Sequence, residues 1–306
     1  MQGMVSIRHR EGACALLFLL MGLLAVPAAA HVGGTTPVPN GLYWAIRLDI
    51  ELIVLLAIAT AGWLWLVEGR PGWRAASAWA SATLLFYVTV ASSIDEIGER
   101  YLFSVHMLQH TLLIYPIALL YVLALPERAV MRLAAMPLIG TVGRVLTRPL
   151  VAGFVFAAVF SGWHVPALYE WALRDRVIHN LEHLTFLISA MAMWWPVAGP
   201  EEGWPRASYG VQVIYLAGVT IALLPIFAFL TFARTVFYPT YAAAPRIVAL
   251  SPIQDQVLGG AIMKIAAMVA GFATLAWVFL RWYEWDQSRQ RRLKLVIDNR
   301  TEAPDA

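Results

Sequence analysis

Residues 101–125 read YLFSVHMLQHTLLIYPIALLYVLAL. The stretch holds no Asp, Glu, Lys or Arg, and it exceeds the roughly 20 apolar residues with which a helix crosses a bilayer. Hydrocarbon offers no water to backbone N–H and C=O groups, and a helix satisfies its own, so this run predicts a membrane-spanning α-helix. Within it His106 and His110 stand i,i+4, on one helical face. An ionisable side chain inside a membrane is costly and by default marks a function.

The rest of the chain extends that reading. Of its 306 residues, 60% are hydrophobic and 13% charged, about half the charge of a soluble domain, and the mean hydropathy is +0.67. Apolar segments lie near 43–67, 74–94, 101–125, 149–171, 178–198, 208–233 and 256–282. The sequence therefore predicts an all-α, polytopic membrane helix bundle, with seven transmembrane helices in residues 43–285. The bilayer is its surroundings. The basic excess is small, 22 Lys+Arg against 19 Asp+Glu, which argues against nucleic acid as a partner. Segment 127–140 is expected to lie along the inner interface. The charged tail 286–306 is expected to be a short cytoplasmic helix that frays.

The N-terminus reads as an export signal. Arg8, His9 and Arg10 precede an apolar stretch at 13–26, and Ala28 and Ala30 form an A-x-A cleavage site. Residues 1–30 are thus expected to be a cleavable signal peptide and 31–42 an extracytoplasmic segment. Cys14 is the single cysteine, and cleavage would remove it, leaving no disulfide or thiolate site. His31 would become the new N-terminus, whose amino group and imidazole together chelate copper. With that end outside, thirteen Lys/Arg fall on the inner side and six on the outer, the bias that predicts N-out and C-in.

Five of the seven histidines fall in predicted spans. His106 and His110 lie about 8 and 14 Å below the outer end of the third span. His164 lies about 9 Å from the outer end of the fourth. His179 and His183, again i,i+4, lie about 3 and 9 Å down the fifth. One histidine in a bundle ordinarily only hydrogen-bonds; five at one depth point to metal ligands or a proton relay. Asp49, Asp95, Glu96, Glu99 and Asp255 gather near this layer. Of these, Asp49, Asp95 and Asp255 are secondary candidates, with Glu182 as a residue that orients a ligating ring and Met107 and Met263 as sulfur donors. Other Met residues read as packing, and Gly259-Gly260 as a close helix contact. Lys264 invites a buried partner such as Asp49 or Asp95.

Imidazole suits zinc, copper, iron and nickel. Copper fits a thiolate-free site on the exporting side. Haem, held by two facing His, and an intramembrane zinc hydrolase with Asp95 or Glu182 as base are the alternatives, as is a scaffold whose His only hydrogen-bond.

Three blocks carry a resemblance. They are HMLQHTLLIYPIALLYVLALP at 106–126, WHVPALYEWALRDRVIHNLEHLTFLISAMAMWWPV at 163–197 and YPTYAAAPRIVALSPIQDQVLGGAIMK at 238–264. Together they resemble the polytopic CtaG family of cytochrome c oxidase assembly factors over about 42–285. Ser161-Gly162 and Lys264 depart from the pattern. The resemblance implies a non-enzymatic protein of the bacterial inner (plasma) membrane that helps mature haem–copper oxidases by handling copper. A haem–copper oxidase subunit would be its partner, and a periplasmic copper donor a second. On the matching positions His106, His110, His164, His179 and His183 are the expected ligands.

Overall fold

The computed structural model describes residues 46–204 and 206–301, with side chains as far as Lys294. The expected signal peptide, segment 31–42 and His31 lie outside the described residues. Among those described, all extended regular structure is helical: α1 (Ile50–Leu66), α2 (Trp73–Val90), α3 (Ser93–Arg100), α4 (Phe103–Leu123), α5 (Glu127–Ala135), α6 (Pro137–Leu146), α7 (Pro149–Trp163), α8 (Pro166–Arg174), α9 (Arg176–Ala198), α10 (Tyr209–Thr231), α11 (Pro239–Ala243) and α12 (Pro252–Thr301). Each predicted span contains a helix. By length and hydropathy three helices suffice to cross a membrane, α4, α10 and α12, or up to five if the bent pairs α5–α6 and α7–α8 each count as one span. Large apolar side chains face outward, among them Leu84, Leu150, Phe154, Ile214 and Phe272, the inverse of a soluble surface.

The α4 stretch is not a plain α-helix. Residues Leu113–Ile117 form a π-helical turn around Pro116, which has no N–H to give and whose ring crowds the preceding turn. Within that turn the carbonyl of Ile114 accepts from the Trp194 indole of α9 at 2.8 Å. At its other end α4 has no capping side chain of its own. Asp255, from the start of α12, accepts from the backbone N–H groups of Phe103 (2.8 Å) and Ser104 (3.0 Å).

The expected fourth span is broken. α7 ends at Trp163, and α8 leaves it at 72°. Pro166 explains the break, since the residue before a proline avoids the helical region and Pro is favoured at the first helical position. His164 therefore ends α7 rather than lying within a straight span, so its depth does not follow from counting residues along one axis. Segment 127–140 is also split, into α5 and α6 at 117°. Asp95, Glu96 and Glu99, between the second and third predicted spans, lie on α3. The tail helix is not separate, for α12 runs on to Thr301.

α9 is central, its buried side including His179, Glu182, His183, Phe186 and Ala190. It packs against α4 and α7, while α12 packs against α4 and α10. The α12 contact depends on small residues. A Cβ on Gly259 would lie 2.5 Å from the Phe103 ring, and one on Gly260 would lie 2.8 Å from Leu230 Cβ. Gly259-Gly260 is thus the close contact expected. Gly98 does the same for α3, where a Cβ would lie 3.1 Å from the His106 backbone.

Candidate metal centre

Local chain chemistry aims the histidines. On α4 and α9 the i,i+4 spacing stacks each pair, with ring centroids 4.4 Å apart for His106–His110 and 4.2 Å for His179–His183. Asp175 starts α9 by accepting from the N–H groups of Val177 (2.9 Å) and Ile178 (3.2 Å), which sets the face that follows. The two pairs meet. His106 lies 5.3 Å from His179 and 5.9 Å from His183, and His110 lies 5.3 Å from His183. His164 approaches His110 at 6.2 Å from the end of α7. All five are buried.

One ligand atom from each of His106, His179, Glu182 and His183 falls within 4.8 Å of the others. His110 and His164 stand beside this group, with His110 Nε2 3.7 Å from Glu182 Oε1. The nitrogens facing inward have no hydrogen-bond partner: His106 Nε2, His110 Nδ1 and Nε2, His164 Nε2, His179 Nδ1 and His183 Nε2. Both oxygens of Glu182 are likewise unpartnered. Each such atom costs about 1–3 kcal/mol when left unpaired, so their gathering in one place calls for a ligand.

The far nitrogens of His164 and His106 are held. His164 Nδ1 lies 2.6 Å from the Phe160 carbonyl oxygen, which can only accept, so the proton sits on Nδ1 and Nε2 keeps its lone pair. His106 Nδ1 lies 2.7 Å from the Tyr169 hydroxyl and 2.9 Å from that of Tyr241. Tyr241 donates to the Gly98 carbonyl at 2.7 Å, so its oxygen is free to accept from His106 Nδ1–H. His106 Nε2 is then also left as a lone pair. Fixing a ligand's tautomer through its far nitrogen is how proteins orient metal-binding imidazoles.

A second group adjoins the first. Asp95, Glu99 and His179 each place a ligand atom within 4.8 Å of the other two. Glu99 Oε1 is 2.9 Å from His179 Nε2, and Glu182 Oε2 is 3.6 Å from His179 Nδ1. This ring therefore stands between two carboxylates. Asp95 also binds the Arg47 guanidinium and the Gln109 amide, both at 2.8 Å. Burial pushes the Asp95 carboxyl up to about 7, with Glu99 adding to the rise against the pull of His179, Gln109 and Arg47. Burial acts the same way on Glu99, but the His179 imidazole outweighs it and holds that carboxyl down at about 2. A cleft of about 70 Å³ leads to this place, lined by Asp49, Asp95, Glu99, Arg176, His179, Asn180 and His183 together with apolar residues of α1, α2 and α9.

The remaining candidates lie elsewhere. Asp49 lines the cleft and caps α1 through the Leu52 N–H at 2.9 Å. Asp255 is engaged by the α4 N-terminus. Met107 and Met263 are buried in the main apolar core. Lys264 is exposed, and Asp95 pairs with Arg47 instead. Sequence reasoning missed Glu99 as a site residue, and Tyr169 and Tyr241 altogether. The i,i+4 spacing of Asp95 and Glu99 was the available sign for Glu99; nothing local distinguishes the two tyrosines.

Fold and site together define an all-α protein of membrane helices built round a buried histidine–carboxylate centre. Residues 60–284 match the family model described as cytochrome c oxidase caa3 assembly factor, Caa3_CtaG. The chain belongs to that family, as its three sequence blocks had suggested. No curated protein and no solved structure matches it.

Proposed function

We propose that this protein accepts copper at His106, His179, Glu182 and His183, with His110 and His164 as adjoining support, and passes it to a subunit of a haem–copper oxidase during assembly. The carrying observation is the convergence, within 4.8 Å, of buried donor atoms from α4 and α9 that lack other partners. Three imidazoles and a carboxylate with no thiolate form a donor set that suits copper or zinc. Membership of an oxidase assembly family favours copper as cargo. The cleft of about 70 Å³ is far below the roughly 300–1,000 Å³ of small-molecule and cofactor pockets, which weighs against haem. Asp95, tied to Arg47 and Gln109, is poorly placed as the free base of a hydrolase, and a non-enzymatic role fits the family. In this reading the chain sits in the bacterial inner membrane with the histidine layer toward the outer face, N-out and C-in, and a periplasmic donor supplies the metal.

The test is metal analysis with an absorption spectrum on purified protein. Copper bound without a Soret band is expected. Replacing His106 and His183 together with Ala should abolish copper binding while the protein still elutes as a folded species. Undiminished copper in that double variant overturns the proposal, and a Soret band or bound zinc in its place redirects it.

A further inference from the structure

The buried centre has no open path of its own, for Glu182, His106 and His110 are wholly enclosed. What reaches the surface is the cleft beside α3, and its polar lining is Asp49, Asp95, Glu99, Arg176, His179, Asn180 and His183. Two of these, His179 and His183, also belong to the buried centre. His183 is more than nine-tenths buried, lines the cleft and has an unpartnered Nε2.

We propose that Asp95, Glu99 and His179 form a second, outer cation site, through which copper passes on its way to His106, His183 and Glu182; the inference rests on the function proposed above. The three donors already lie within 4.8 Å of one another. Two carboxylates and one imidazole form a harder set than the three imidazoles and one carboxylate within, so the outer site suits Cu(II) and holds it less firmly. His179 belongs to both sites. Its Nε2 faces Glu99 at 2.9 Å, and its Nδ1 faces Glu182 at 3.6 Å. A cation leaving the outer carboxylates meets the same ring on the way in.

Cations of the protein stand guard at this mouth. The Arg47 guanidinium, 38% exposed, holds one oxygen of Asp95 at 2.8 Å, and the Gln109 amide holds the other. Arg176 lines the cleft as well. An arriving ion must displace Arg47 from Asp95, and the exposure of that side chain allows it to swing away. Carboxylates lining a low-dielectric cleft focus cations, an effect that changes association rates by about tenfold to a thousandfold.

The experiment follows Cu(II) uptake by the full chain in nanodiscs, with copper per chain at saturation measured in parallel. In an Asp95→Asn/Glu99→Gln double variant, uptake should slow by about tenfold or more while the inner centre still fills, so that saturation falls by no more than the one outer ion. In Arg47→Gln, uptake should become faster than in the parent, a change that mere loosening of α3 would not produce. If the double variant does not fold, Glu99→Gln alone serves, because it keeps the shape of the side chain that meets His179. Uptake at the parent rate in the carboxylate variants overturns the outer site and leaves the inner one standing. Loss of all bound copper in them also overturns it, by making the carboxylates part of a single centre. A parent protein that binds no copper at all refutes the underlying function instead.

Discussion

His106 shows how much of a metal-binding residue's behaviour is decided by atoms on its far side. Its Nδ1 is shared by the hydroxyls of Tyr169 and Tyr241, at 2.7 and 2.9 Å, and Tyr241 is in turn committed to the Gly98 carbonyl. Tyr241→Phe removes the acceptor that favours the Nδ1–H tautomer and leaves the Gly98 carbonyl without that donor. Losing such support typically lowers metal affinity about 10- to 100-fold. A copper competition titration against a chelator should show a fall in that range with an unchanged number of ions bound. An unchanged affinity would mean that Tyr169 alone orients the ring. The histidines themselves were legible in the sequence, because i,i+4 spacing places two rings on one helical face whatever the tertiary structure. Tyr169 and Tyr241 were not, since they lie on α8 and α11 and only the folded chain brings them to His106.

At the scale of elements, apolar runs announced most helices, but not where one ends inside a run. The stretch 149–171 reads as one span, yet Pro166 divides it at His164. A membrane helix tolerates proline when local π adjustments or neighbours satisfy the freed backbone groups, and α4 continues past Pro116 through such a π-helical turn, so proline alone does not say which outcome follows. Asp255 is a second case. In sequence it is an acid near a metal layer; in the fold it caps α4 across more than 150 residues. Asp255→Ala should therefore destabilise the protein by about 0.5–2 kcal/mol, read as a lower melting temperature in detergent, without changing copper stoichiometry. Gly259→Ala drives a methyl to 2.5 Å from Phe103, and overpacking of this kind costs about 1–3 kcal/mol. The same melting experiment should rank it at least as severe as Asp255→Ala, and an unchanged melting point would show that α12 shifts freely to make room.

For the whole molecule, composition announced membrane helices, and the lysine and arginine bias supplied an orientation. Among the described residues, three to five helices are long and apolar enough to cross. α9, which holds three of the four central ligands, is not among them. Its N-terminal half carries Arg176, His179, Glu182 and His183, so the residues that build the centre dilute the apolar signal of the helix that bears them. The proposed N-out, C-in arrangement predicts opposite labelling of two exposed positions. With Cys14→Ser in place, Ala243→Cys should react with an impermeant maleimide added outside intact cells, and Ser288→Cys only after lysis. The reverse pattern would invert the orientation and place the histidine layer on the cytoplasmic side.

The length of α12 has a mechanical consequence. An unbroken helix of 50 residues is about 75 Å long, more than twice the roughly 30 Å of bilayer hydrocarbon. It is packed from Gly259, which meets Phe103 and Met107 within a turn of His106, as far as Val278 and Trp285, which join Tyr215 and Tyr209 of α10. A rod gripped over that length works as a splint. A push on its charged distal arm is spread along the whole α10 seam before it reaches the metal-bearing helix, so the imidazoles stay in register.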